Sequence, residues 1–429
     1  MSDVVVVGGG IAGLVIARKL LIEGRSVTLL EASGRLGGSV SRHTVGGIVL
    51  DAGAESFATR GGTVEALVRD LGLGDEIVAP NPEGAWLQPA SGPALPLPAT
   101  SLLGIPGSPV AEDVIRVIGQ SVALRAFARD AMLPGTAGAK SVTLGELVRR
   151  RMGDDVLEKL VAPVVNGVHS ASPDDLDLDR VAPHLRAALR REGSLARAVR
   201  SLRAAAPAGS AVAGIRGGIA RIVDELVADL ERFGADIRLD TRATAVTVGS
   251  VTIDDDVLGG HIVVAAPGLV GTARPGGDSA DPTTPDRVVT LATLVVDQPL
   301  LHGAPRGTGV LVAKGTPGIR AKALTHATAK WPWLAERAAG KHVLRLSYDT
   351  DHDDLAEVAR ADAAALLGVA IEPAAVVDFA RVQWVRVATG ETAPDGVTLV
   401  GEAIAGTGLA NIIGHSQAQA DSVLAALSD

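Results

Sequence analysis

Apolar and polar positions follow two periods along this chain, and the first forty residues show both. Val4-Val5-Val6-Val7 is a run of β-branched residues with no polar position, the pattern of a strand buried on both faces. The period then lengthens. Leu14, Ala17, Leu20 and Leu21 share one side of a helix, and Gly24 stops it. Residues 26–30 predict a second strand, ending at Glu31. Residues 110–205 read as mainly helical. Val114, Val117, Ile118, Val122 and Leu124 form an irregular apolar face there, and Pro163 and Gly167 predict a break. A clear amphipathic helix opens at Gly217-Gly218, carries Ile219, Ile222, Val223, Leu226, Val227, Leu230 and Phe233, and closes at Gly234. Short strands are expected over 236–239, 243–248 and 251–253, and a buried one over 262–267. Residues 274–286, rich in Gly, Pro, Asp and Thr, read as a linker. Strand patterns at 288–296, 309–312, 342–348 and 375–384, with a helix over 354–367, predict a second sheet. A last strand at 397–402 leads through a Gly-rich turn, 406–414, into a final helix over 416–427.

Composition narrows the class. At 429 residues the chain exceeds one ordinary core, so two domains are expected, and 47% apolar content is enough to fill them. Cysteine is absent, which excludes disulfides, a thiolate metal site and a cysteine nucleophile, and suits the cytoplasmic location expected here. The net charge of −9 argues against a nucleic-acid surface. No stretch is long and apolar enough to span a bilayer. Glycines, Arg18 and Lys19 interrupt the first apolar run, and no charged segment precedes it, so neither a signal peptide nor an anchor is expected. Aromatic residues are only 2% of the chain, so a pocket for a flat ring would be lined mostly by Leu, Ile, Val and Met.

The chemistry begins between the first strand and helix. Gly8, Gly9, Gly10, Ile11, Ala12 and Gly13 satisfy G-x-G-x-x-G in its strand–turn–helix setting, which points to dinucleotide binding. Gly8 permits the tight turn, Gly10 lets a pyrophosphate approach the backbone, and Gly13 lets the helix sit close on the sheet. The helix start offers unpaired N–H groups to phosphate. Glu31 stands where an acid accepts from the ribose hydroxyls, and its charge disfavours a 2′-phosphate. Ala32, Arg35, Gly37 and Gly38 follow, with Arg35 able to pair with phosphate and the glycine pair allowing close approach. In residues 51–60, Gly53 and Ala54 either lie against a flat ring or form a sharp turn before a helix. Arg149-Arg150-Arg151 reads as a solvated helix surface. Asp174, Asp175, Asp177 and Asp179 lack the loop glycine and terminal Glu of a calcium loop and read as a capped, solvated turn. His169 reads as a structural histidine with a substrate role as the other option. Trp331, Trp333 and Trp384 read as core or interface residues. None of the nine histidines is paired at metal-ligand spacing, and no metal site is expected.

These motifs carry a family resemblance. Residues 4–13, 31–38 and 51–60 followed by 67–73 resemble the flavin amine oxidase superfamily. Leu95-Pro96-Leu97-Pro98, Leu103-Gly104-Ile105-Pro106 and residues 142–153 resemble, within it, the protoporphyrinogen/coproporphyrinogen oxidase family. The resemblance implies an α/β fold in which a Rossmann-like FAD-binding domain (1–80, 210–285, 386–429) is interleaved with a helical subdomain (81–209) and a substrate domain built on a mixed sheet (286–385). It implies FAD, a porphyrinogen substrate and molecular oxygen, with hydride transfer to the flavin and no protein nucleophile. It adds Gly53, Ala54, Glu55, Ser56, Val246, Gly401, Glu402, Gly408, Leu409, Ile412 and Ile413 to the cofactor set, Val246 through its backbone to adenine. The start of the final helix would face the part of the flavin that gains negative charge on reduction. Arg60, Asn166 and His169 are the substrate-side candidates, Arg60 for a propionate. Contact with a membrane surface or another haem-pathway enzyme stays open.

Two departures bear on the substrate pocket more than on the flavin contact, which is largely backbone. The family's aromatic-rich Pro-Gln-Tyr segment before the last strand is reduced here to residues 385–399. Its Gly-Ile-Pro-Asp-like turn is replaced by Gly408-Leu409-Ala410-Asn411-Ile412-Ile413. An amine or polyene oxidase, and a non-catalytic flavin-binding homologue, therefore remain alternatives.

Overall fold

The computed structural model describes residues 2–428 apart from 60, 139, 170, 206–211, 255, 267–268, 270–286 and 387–395. The candidate residue Arg60 and the linker read at 274–286 lie outside the described residues, as does most of the shortened segment 385–399. The chain divides into two compact units, one of Met1–Pro80, Ser210–Val288 and Trp384–Asp429, the other of Asn81–Gly209 and Val289–Gln383.

The first unit is built on five parallel strands in the order Asp236–Arg238, Val27–Leu30, Val4–Val7, His261–Val264 and Val397–Leu399. The valine run alternates as a doubly buried strand must. Val4 and Val6 face a core filled by the helices Ile11–Ile22, Arg221–Arg232 and Leu409–Ala426, while Val5 and Val7 face a second core with Val251, Ile253 and Ile262. That second face is covered by an antiparallel meander, Ala243–Thr247, Ser250–Ile253 and Asp256–Gly259. Its third strand has no separate sequence signal. The strand expected at 236–239 joins the parallel sheet instead of this meander.

The second unit holds a seven-stranded sheet in the order Val376–Arg386, Arg287–Val296, His342–Tyr348, Ala323–His326, Gly309–Val312, Trp86–Gln88 and Leu95–Pro96. It is mixed, because Gly309–Val312 runs parallel to Trp86–Gln88 and antiparallel to Ala323–His326. The helix Leu355–Leu367 packs its Val358, Ala359, Ala363 and Leu366 into the sheet core. A helical part between residues 112 and 205 has its own apolar core.

Several local expectations are corrected. Gly119, at φ +83°, separates the helices Glu112–Ile118 and Gln120–Met132, so Val114 and Ile118 are buried while Leu124 is exposed. Pro163 and Gly167 do not break the helix. Leu157–Val161 winds as a wider π-turn, with the Ala162 N–H reaching Leu157 O, and Ala162–His169 continues it. The wider turn relieves the clash that a proline ring makes with the preceding turn of a regular helix. Gly167 is a packing glycine, since a Cβ there would lie 2.4 Å from the Leu311 side chain. Phe233 closes its helix exposed to solvent. The Arg149–Arg151 run is not uniformly solvated, because Arg151 is fully buried. The last helix begins at Leu409, well before 416, because Leu409, Ile413, Ser416, Ala420 and Val423 form one buried stripe. Gly414 is carried inside it, at a helix cost of about 1 kcal/mol that the burial outweighs.

Candidate functional site

The glycine turn of the first unit shows two kinds of glycine. Gly8 (φ +105°) and Gly13 are demanded by packing. A Cβ on Gly13 would lie 2.0 Å from Gly8 O, and one on Gly8 would lie 2.9 Å from the Ala265 backbone. Gly10 is different, because nothing lies within 4 Å of where its Cβ would stand. Its backbone is extended (φ −72°, ψ 176°) and it caps the Ile11–Ile22 helix without a side chain. The first helical bond there runs from Leu14 N to Gly10 O, 3.0 Å. The N–H groups ahead of Leu14 thus lie outside the ladder, in a cradle that any side chain at residue 10 would occupy.

A second loop closes on this turn. Gly37 N–H donates to Gly9 O (2.8 Å), and Gly38 lies so close that its Cβ would stand 3.3 Å from the Gly10 Cα. Arg35 is exposed and donates from Nη1 to Gly38 O (3.0 Å). Ala32 is exposed beside it. Glu31 is half-buried, and its Oε2 accepts from Gly9 N–H at 2.8 Å. A Cβ on Gly9 would strike the Leu36 side chain at 2.4 Å and Glu31 at 3.2 Å.

At residues 51–56 the close approach is to protein. A Cβ on Gly53 would stand 2.1 Å from Ser39 O, and Trp384 Nε1 donates to Ala52 O at 3.4 Å. The Asp51 carboxylate accepts from Ile219 and Ala220 N–H (2.9 and 3.0 Å), tying this segment to the start of the Arg221–Arg232 helix. The Cβ side of Gly53 is thus filled by the Ser39 carbonyl. Ala54 is exposed, and Glu55 and Ser56 are half-buried. Val246 pairs with Val251 in the meander.

Near the carboxyl end, Gly401 (φ +112°) precedes the short helix Glu402–Ala405, and its Cβ position is 3.8 Å from Ala12 Cβ. Gly408 (φ +98°) caps the final helix with no side-chain cap and no neighbour within 4 Å of its Cβ position. It is a second open helix start, with Leu409 at its first position. Ile413 is fully buried in the core and Ile412 packs against that core. Asn166 and His169 belong to the helix Ala162–His169 of the second unit, where Asn166 is half-buried.

The acidic turn is taken up within the protein. Arg149 donates to both oxygens of Asp174 (3.0 and 2.9 Å), which lowers the Asp174 pKa, Asp177 caps the helix Leu178–Val181, and Asp179 accepts from Arg186. Among the described residues, no group of three or more His, Asp or Glu is placed to hold a metal, and no helix is long and apolar enough to cross a membrane. Sequence reasoning missed two residues here, namely Ser33, whose N–H and hydroxyl donate to Glu31, and Asp240, whose N–H donates to Ser33 O just past the Asp236–Arg238 strand.

The sequence profile of the flavin containing amine oxidoreductase family matches residues 11–274. A coproporphyrinogen III oxidase of Mycobacterium leprae is 30% identical over 422 residues, covering 94% of this chain and 90% of that one. A coproporphyrinogen III oxidase of Staphylococcus aureus is 26% identical, over 80% of this chain and 77% of that one. Among solved structures, a candidate protoporphyrinogen oxidase from Exiguobacterium sp. 255-15 superposes with a TM-score of 0.81 at 23% identity, covering 98% of each chain.

Proposed function

The chain belongs to the flavin containing amine oxidoreductase family, in its porphyrinogen oxidase branch, and from that premise we propose that it binds FAD and oxidises coproporphyrinogen III to coproporphyrin III with molecular oxygen. The observation that carries the substrate reading is the 30% identity to a coproporphyrinogen III oxidase over 94% of this chain. Protoporphyrinogen IX is the second substrate to be tested. The flavin, when bound, supplies the acceptor for hydride from a substrate carbon, so the protein needs no nucleophile or metal of its own.

The chain's own residues hold and tune that group. The amides at the Ile11–Ile22 helix start, the open backbone at Gly10, the Gly37–Gly38 pair and the Arg35 cation would hold the pyrophosphate. Glu31 accepts from the adenosine ribose. Gly53 to Ser56, the Val246 backbone, Gly401 and Glu402 complete the cofactor set. The open start of the final helix at Gly408 and Leu409 presents an electropositive end to the charge that grows on reduction. Asn166, His169 and Arg60 are the residues proposed for the substrate.

The test begins with the absorption spectrum of the purified protein, which should show oxidised flavin. Anaerobic mixing with coproporphyrinogen III should bleach those bands, and admission of air should yield porphyrin fluorescence faster than the uncatalysed rate. A flavin bleached by an amine but not by porphyrinogen would move the assignment to amine oxidation. A bound flavin that neither reduces would make the protein a non-catalytic homologue. Arg60→Ala is expected to raise KM for the tetra-acid several-fold with kcat little changed; unchanged KM would reject the propionate contact.

Gly10 gives an opposed pair of effects. Gly10→Ser places a hydroxyl cap where the cradle is open, so the flavin-free protein should be as stable as wild type, or more stable by a few tenths of a kcal/mol. The same side chain occupies the phosphate cradle, so FAD affinity should fall at least about tenfold, corresponding to the loss of about 1.4 kcal/mol. Isothermal titration of the flavin-free protein and its melting curve read the two effects separately. Undiminished affinity would remove the pyrophosphate from Gly10.

A further inference from the structure

Three donors converge on the Glu31 carboxylate. Gly9 N–H reaches Oε2 at 2.8 Å, and on the other oxygen the Ser33 N–H and the Ser33 hydroxyl reach Oε1 at 2.8 and 2.7 Å, the latter being the shorter of the two contacts of that hydroxyl, which also lies 3.0 Å from Arg35 O. The backbone around them is clamped by the neighbouring strand. Glu31 N–H donates to Arg238 O (2.9 Å), Thr241 N–H to Glu31 O (2.9 Å) and Asp240 N–H to Ser33 O (3.1 Å). Asp240 turns there at φ +51°, and its carboxylate lies against Gly34, 3.3 Å from where a Cβ would stand. Ser33 is solvent-exposed, and its side chain contributes nothing to either core of the unit.

A glutamate side chain at a strand end has three torsions to lose when it engages a ligand, and their entropy opposes binding. Two donors from one residue on one carboxylate oxygen remove that freedom beforehand and, with Gly9 N–H on Oε2, leave the second lone pair of Oε2 for a ribose hydroxyl. We propose that Ser33 is a positioning residue for the cofactor: it holds the Glu31 carboxylate, already bonded to Gly9, in the orientation that receives the adenosine ribose. The proposal rests on the FAD reading above and assigns to this chain a determinant that lies outside the glycine motif.

The experiment is a double-mutant cycle on flavin-free protein, titrated with FAD and followed by quenching of FAD fluorescence. Ser33→Ala should raise the Kd for FAD about tenfold, as loss of a hydrogen bond to a charged group does. Glu31→Ala should raise it more. In the Glu31→Ala background, Ser33→Ala should change the Kd less than about twofold, because there is no carboxylate left to orient. Ser33→Thr keeps the hydroxyl and should restore affinity to within about threefold of wild type. Melting curves of the flavin-free wild type, Ser33→Ala and Ser33→Thr should lie close together, because the bonds the hydroxyl makes are solvent-exposed, whereas a mainly structural serine would separate them. Wild-type affinity in Ser33→Ala, or an equal loss with and without Glu31, overturns the assignment to Ser33 and leaves FAD binding standing. Failure of the wild-type protein to bind FAD overturns both.

Discussion

Arg151→Leu is expected to destabilise the second unit by about 3–5 kcal/mol, the cost of breaking a buried ion pair from one side. Arg151 is fully buried and its partner Asp130 is 2% exposed. The guanidinium donates to Asp130 Oδ1 (2.7 Å) and to the carbonyls of Asp130, Pro134 and Gly193 (2.8, 2.8 and 3.0 Å). The Asp130 carboxylate in turn accepts from the Ser194 hydroxyl and from Leu195 and Ala196 N–H, at the start of the Leu195–Ala205 helix. Two side chains thus join three helices and a loop. Leucine fills part of the volume but leaves a buried carboxylate without its cation and the carbonyls of Asp130 and Gly193 without the guanidinium, while Pro134 O keeps the Ala137 N–H. Arg149→Leu is the control. Its partners Asp154 and Asp174 are exposed, so its loss should cost less than about 1 kcal/mol. Urea unfolding of the two variants reads the difference, and equal midpoints would refute the hub.

Acid sensitivity of the same unit is the second large effect. His326 Nε2 lies 3.0 Å from His342 Nδ1, and both rings are buried, at 1% and 7% exposure. Burial first, then the neighbouring ring (His342 for His326, His302 for His342), pushes both pKa values down to about 4, with Asp297 opposing the shift at His342. His326 Nδ1 and His342 Nε2 have no hydrogen-bond partner among the described residues, so an added proton would find no acceptor. An unfolded histidine titrates near 6.5. Between about pH 6.5 and about 4 the unfolded chain therefore binds more protons than the folded one, and stability falls as pH is lowered through that window. Each unit of pKa difference is worth about 1.4 kcal/mol, so the pair should cost several kcal/mol by pH 4. Melting temperature followed from pH 7 to pH 4 should drop, and replacing both rings by leucine should flatten the slope over that interval. An unchanged slope in the double variant would place the acid sensitivity elsewhere.

Much of the architecture could be read before any coordinates. The strands Gly309–Val312 and His342–Tyr348 fall where their patterns put them, and the helix Leu355–Leu367 begins one residue later than its pattern suggests. The glycine turn, Glu31 and the Gly37–Gly38 pair are adjacent to one another in space as well as in sequence. Errors arose where a local rule met a distant partner. Proline and glycine read as breakers at 163 and 167, but a π-turn and the Leu311 side chain determine their setting. The three arginines at 149–151 read alike, and only the position of Asp130, 21 residues away, separates Arg151 from the others.

What the sequence determined by itself, then, is every feature that a few consecutive residues can specify: strand and helix periods, the phosphate-ready turn, the acid at the end of the second strand, and the family these identify. What only the tertiary structure decided is which polar groups are withdrawn from water and who meets them there. Arg151 with Asp130 and His326 with His342 are such cases. The reason is that periodicity records which side of an element faces inward. The identity of the group waiting on that side depends on chain segments tens or hundreds of residues away, which no local pattern carries.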